Sequence, residues 1–124
     1  MTIQTLIDKV CEEKPNTFGE AKLVTFINEI EREVAEQLAL PAEEIPSYTY
    51  PASKNYTLLA PAPYDRLYVS YLKAMIDYSL EEYASYQLNS EQHERDFADY
   101  VDWVVRTSRA RKVYTPARFR NILY

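Results

Sequence analysis

A single glycine, Gly19, serves a chain of 124 residues. Tight β-hairpins need residues at positive φ, and glycine adopts that backbone without strain. A chain so poor in glycine is a poor candidate for a hairpin-rich sheet. Seven prolines supply the punctuation instead, at Pro15, Pro41, Pro46, Pro51, Pro61, Pro63 and Pro116. The longest helical pattern free of both residue types covers residues 64–88, YDRLYVSYLKAMIDYSLEEYASYQL, and holds six of the 12 tyrosines. The expectation is an all-α fold: a small bundle of about four helices around this long central helix. An extended Pro/Tyr-rich loop is expected between helices two and three. At this length the chain is one domain with one core.

Taken in order, Thr2 is placed to cap a first helix over about residues 3–13. Ile3, Leu6, Ile7 and Val10 form its i, i+3, i+4, i+7 stripe, with Cys11 beside it. Pro15 ends it, because the residue before proline is pushed out of the helical region. Thr17 and Glu20 have capping-box spacing, which predicts a second helix from near Phe18 to about residue 39. Leu23, Phe26, Ile27, Ile30, Val34 and Leu38 are its apolar stripe. Glu29, Glu33 and Glu36, with Lys22 and Arg32, read as its solvated face rather than a metal site. Residues 40–63 hold five of the prolines with Tyr48, Tyr50 and Tyr56. A segment of that length is long for a loop in a compact domain, which makes it a candidate contact surface. Asn55–Ala60 reads as a short extended strand.

In the central helix, Tyr64, Leu67, Tyr71, Met75 and Tyr78 line one face, broadened by Tyr68, Leu72, Ile76 and Leu80. Asn89 and Ser90 predict a break. A fourth helix is expected over about residues 91–107, burying Phe97, Tyr100, Val101 and Val104, with Val105 at the margin. Trp103 points away from that stripe. Residues 1–107 thus form the helical domain, and residues 108–124 a basic tail.

Charge divides the chain unevenly. Residues 1–104 carry all 19 acidic groups and eight of the 14 basic ones; residues 105–124 carry six basic groups and no acid. An acidic body with a basic tail suggests a separate partner for the tail. Arg109, Arg111, Lys112, Tyr114, Arg118, Phe119 and Arg120 are its candidate contact residues. Interleaved cations and rings also fit a small nucleic-acid-binding regulator, the alternative reading. The net charge of −5 weakens non-specific DNA binding and favours an acidic protein surface as target. One cysteine, Cys11, permits no internal disulfide. MTIQTLIDKV lacks the apolar run of a signal peptide, and no stretch nears the roughly 18 apolar residues of a membrane span. The expectation is a soluble protein made in the cytoplasm.

Signatures of chemistry are absent. One glycine builds neither GxxxxGK[ST] nor GxGxxG. A di-iron bundle needs Glu-x-x-His on two helices, but Ser90 stands three before His93, the only histidine. The neighbours Glu81-Glu82 and Glu43-Glu44 do not face each other as acid–base pairs. Cys11 and His93 as a nucleophile pair is a weak option, since a lone cysteine on an apolar stripe is usually a buried small hydrophobe. His93 reads as an exposed first-turn residue. No enzyme activity, cofactor or metal is expected.

Two stretches nevertheless form a pattern, KPNTFGEAKLVTFINEIEREVAEQL and LLAPAPYDRLYVSYLKAMIDYSLEEYASYQLNSEQHERDFADYVDW. They resemble the small head–tail connector, or portal adaptor, proteins of tailed bacteriophages and prophages. The matching positions are Lys14-Pro15-Asn16, then Lys22, Leu23, Phe26, Asn28 and Glu29. The second set runs from Pro63, Tyr64, Asp65, Tyr68, Tyr71 and Leu72 through Asp77, Tyr78, Glu82, Tyr83 and Tyr86 to Asn89 and Ser90. The similarity covers about residues 3–105, is diffuse between Pro41 and Tyr56, and leaves ARKVYTPARFRNILY unmatched. It implies a structural virion protein at the head–tail junction, forming a ring on the portal. Such a ring extends the DNA channel without sequence-specific binding and docks the next neck or tail-completion protein. Its partners are the portal protein, that next protein and other copies of itself. Under this resemblance the basic tail becomes the candidate portal grip. Tyr83 and Tyr86, off the Tyr64–Tyr71–Tyr78 stripe, become candidates for the subunit seam, with Tyr48 and Tyr50 of the loop.

Overall fold

The computed structural model describes the backbone of residues 1–114 and the side chains of residues 1–108. Over these it is all-helical, in the order α1 (Ile3–Glu13), α2 (Glu20–Gln37), α3 (Arg66–Ser79) and α4 (Tyr83–Tyr114), with one 3-10 turn at Ala42–Glu44. The sole β pairing among the described residues is an isolated antiparallel bridge between Thr2 and Thr57.

The helices bury the faces that their periodicity marks. In α1, Ile3, Leu6, Ile7 and Val10 are buried, and the Thr2 hydroxyl accepts from the Thr5 amide at 3.2 Å. In α2, Leu23, Phe26, Ile27, Ile30 and Val34 join the core. The capping box does not form. Gly19 is the N-cap without a side-chain bond, and Asn16 instead receives the Phe18 amide at 3.0 Å in a turn before it. α3 is the centre: it meets α1, α2 and, most extensively, α4, and its Leu67, Tyr68, Leu72 and Ile76 are fully buried. From α4, Tyr100 and Val104 complete the core, while Val105 faces out.

The central helix is shorter than expected. Residues 64–88 are two helices, not one. The break falls at residues 80–82, and α4 runs unbroken through Asn89 and Ser90. Glu81 stands at φ 60°, the Glu82 amide donates to the Asp77 carbonyl at 2.9 Å, and the Glu81 amide to the Tyr78 carbonyl at 3.1 Å. This is a Schellman ending, in which a left-handed residue lets two amides satisfy helix-end carbonyls. α2 ends the same way, with Ala39 at φ 56°, Leu40 donating to Ala35 and Ala39 to Glu36. Neither left-handed position is glycine, so composition hides both stops.

The Pro/Tyr-rich segment is tied down. The Leu58 amide donates to the Met1 carbonyl, the Ile3 amide to Tyr56 and the Gln4 amide to Lys54. The Tyr50 hydroxyl reaches the Gln4 side chain at 2.9 Å. Asn28 of α2 bonds both backbone groups of Tyr48, at 3.0 and 2.8 Å. The strand expected over Asn55–Ala60 reduces to the single bridge at Thr57. Much of this loop is therefore spent on closing the monomer.

Candidate interaction surface

Three polar clusters and one exposed aromatic group stand out. The first is a carboxyl group with no cationic partner among the described residues. Glu31 is fully buried on α2. Its Oε1 accepts from the Tyr68 hydroxyl at 2.5 Å, and its Oε2 from the Tyr48 hydroxyl at 2.7 Å and the Leu59 amide at 3.0 Å. The Tyr68 oxygen in turn accepts from the Ala60 amide at 2.9 Å. Burial, and then the Glu31 charge, push both phenols far above their ordinary range, so they remain donors. The cluster binds α2, α3 and the loop at one point. Glu31 lies one turn from both Ile27 and Val34 on the buried stripe, and that register is the signal by which the sequence marks it. Tyr48, a candidate for the subunit seam, is only 5% exposed. Its ring belongs to the core, and Tyr50 is partly buried beside Gln4.

The second cluster fastens the α3–α4 corner to the end of α1. Asp77 is buried; the Lys14 ammonium lies against its Oδ1, so that oxygen is paired, and also bonds Glu82 at 3.2 Å. Ser85 and Asn89 donate to Asp77 Oδ2 at 2.8 and 2.6 Å. Burial raises the Asp77 carboxyl, but hydrogen bonds from Lys14, Asn89 and Ser85 outweigh it and hold the group below its usual range. The bond to Asp77 raises Lys14 in turn. Four positions that carry the resemblance, Lys14, Asp77, Glu82 and Asn89, thus meet in space. Asn89 acts here as a donor within α4 and not as a helix break.

The third cluster corrects His93. It is not an exposed first-turn residue but a partly buried one inside α4, its ring 5.1 Å from Tyr71 and 5.8 Å from Phe97. Its Nδ1 lies 3.0 Å from the Leu67 carbonyl. Burial lowers its pKa, against an opposing bond to Leu67 and the charges of Glu33, Asp96 and Glu94. Cys11 lies apart, with Asn16 donating to its sulfur at 3.8 Å. Among the described residues no three His, Cys, Asp or Glu side chains are grouped to hold a metal ion, and no helix is long and apolar enough to cross a membrane.

Among the large hydrophobic side chains of the described residues, Tyr56 in the loop and two tyrosines at the α3–α4 corner are left in solvent. Tyr78 and Tyr83 are 58% and 59% exposed. Tyr78 sits 6.4 Å from Tyr83 and 5.3 Å from the half-buried Tyr86, so three rings form one group at the α3–α4 corner. Leu80 in the turn and Leu88 on α4 are also exposed. Periodicity puts Tyr78 on the buried stripe with Tyr64 and Tyr71. Instead Tyr78, next to last in α3, faces solvent, although Ile76 and Asp77 of the same turn are buried. Tyr64 packs on Trp103 at 5.3 Å, and Tyr71 bonds Glu29 at 3.0 Å. A notch of about 30 Å³ lies between the end of α2 and α4, lined by neutral groups from Leu38 to Trp103 and Ser108. The side chains of the tail candidates Arg109, Arg111, Lys112 and Tyr114, and Arg118, Phe119 and Arg120 entirely, lie outside the described residues.

In comparisons with known proteins, no family model, curated protein or solved structure matches the chain.

Proposed function

We propose that the chain is a structural head–tail connector subunit of a tailed bacteriophage or prophage. It assembles as a ring on the portal at the head–tail junction of the virion, extends the DNA channel and docks the next neck or tail protein. The role involves no catalysis and no cofactor. The observation that carries this reading is the exposed Tyr78–Tyr83–Tyr86 group, which falls inside the stretch that resembles the connector pattern. Tyrosine suits a subunit seam because the ring buries apolar area while the hydroxyl stays hydrated or bonded. The charge balance gives further support. An acidic wall repels the phosphate backbone and lets DNA slide past.

The test is assembly. The protein is mixed with the portal oligomer encoded in the same genome, and complexes are sought by electron microscopy. The expected result is a second ring stacked on the portal, weakened by Tyr78→Ser with Tyr83→Ser. Failure of the natural chain to associate at tens of micromolar, on the order of a transient interface's affinity, sinks the reading.

A further inference from the structure

The tyrosine corner has an occupant that the chain itself supplies, but only from another copy. We infer that residues 115–124 of one subunit, TPARFRNILY, lie across Tyr78, Tyr83 and Tyr86 of its neighbour, with Arg118-Phe119-Arg120 as the contact. This rests on the ring reading above and names the contact that links its subunits.

The chemistry is complementary. The corner offers three touching rings and, between Tyr78 and Tyr83, the carboxylates of Glu81 and Glu82. Lys14 is paired with Glu82, whereas Glu81 has no cationic partner among the described residues. The segment offers two guanidinium groups flanking a phenyl ring and carries no acid side chain. Guanidinium stacks on tyrosine faces and forks onto carboxylates, and Phe119 extends the ring group.

Reach excludes the same chain. α4 runs unbroken from Tyr83 to Tyr114. At the usual rise the helix carries Tyr114 about 42 Å from Tyr86. Extended chain from Tyr114 to Arg120 spans at most about 21 Å. The contact is therefore between copies. It joins one end of α4 to the other end of a neighbour's, and under the ring reading it repeats head-to-tail. Such contacts close into rings or run on as filaments. The notch beside Trp103 is within reach of the same chain, but no carboxylate lines it for the arginines to fork onto.

The test is a cross-link in a Cys11→Ala background. One chain carries Tyr83→Cys and the other Phe119→Cys; they are mixed in equal amounts and mildly oxidised. Tyr83 is exposed, so its replacement leaves the core intact. The expected product is a mixed disulfide dimer, and Arg118→Glu with Arg120→Glu lowers its yield at least about threefold, as loss of exposed ion pairs does. Glu81→Lys on the partner restores it. A chain carrying both cysteines that cross-links within itself at high dilution overturns the inference, because the segment is then docked in its own monomer. So does a mixed yield no higher than that from Asp8→Cys, an exposed site on α1 outside the corner. The reaction is also run on the portal complex. A complex that forms without the cross-link removes this contact and leaves the connector reading standing. If no complex forms, that reading fails, and the concentrated chain alone decides the contact.

Discussion

Glu31 is a carboxyl group buried without a cationic partner among the described residues, held by two phenols and one amide. Removing it strands three donors in a dry site, and each unmet donor is costly. Glu31→Ala is expected to destabilise the fold by about 3 kcal/mol in urea unfolding, with Glu31→Gln nearer 1 kcal/mol because it keeps the volume and two acceptor lone pairs. A loss below about 1 kcal/mol for Glu31→Ala would show that the loop closes without it. His93 gives a pH dependence of known sign. Its folded pKa lies below the ordinary imidazole value of 6.5. As pH falls through that window the unfolded chain takes a proton that the folded chain refuses, so stability drops. Comparison with His93→Phe, which keeps a ring between Tyr71 and Phe97, isolates this effect. The natural chain should lose stability relative to the variant between about pH 7.5 and 5, and a flat difference refutes the burial. Both residues are hard to read from sequence for one reason: polar type suggests solvent, and only register against Ile27 and Val34, or against Phe97 and Tyr100, says otherwise.

The helices were largely legible as elements, because apolar spacing reports directly which face is buried. Three helix starts and the stripes of α1, α2 and α4 follow from it. Stops are another matter. Pro15 announces the end of α1, but α2 and α3 end on Ala39 and Glu81 at positive φ, where glycine would be the usual sign. The stretch from Tyr64 to Leu88 consequently reads as one helix when it is two, and Asn89-Ser90 reads as a break when it is a helix interior. These two endings carry backbone strain that glycine would relieve. Ala39→Gly, at an exposed position, is expected to raise stability by about 0.5 kcal/mol, since the left-handed penalty exceeds the added unfolded-state entropy. Thermal unfolding checks this. Loss of stability would show that Ala39 is held there at no cost.

At the scale of the molecule, the buried clusters and the exposed corner divide the tyrosines between two tasks. Tyr48, Tyr68 and Tyr100 donate inside the monomer. Tyr78 and Tyr83 are left outside by the early stop of α3. The sequence marks Tyr83 and Tyr86 as surplus to one core but cannot place Tyr78 with them, because that depends on a helix end it conceals. The same division bears on the rival reading, in which the basic tail grips nucleic acid. Six cations on residues 105–124 face 19 acids on the rest of the chain. If all six met phosphates, the logarithm of the affinity would fall with that of salt with a slope of about −5, and little would survive at physiological ionic strength. The acidic body opposes even that. The full chain is therefore expected to leave a short DNA duplex unbound at about 0.15 M salt, where phosphate contacts are already largely screened, with titration by fluorescence anisotropy as the measurement. Binding below about one micromolar under those conditions, with a slope near −5, would transfer the tail from a protein partner to DNA. Weak binding confined to low salt, abolished by Arg118→Glu with Arg120→Glu, fits a tail whose charge is matched to carboxylates on a neighbouring subunit.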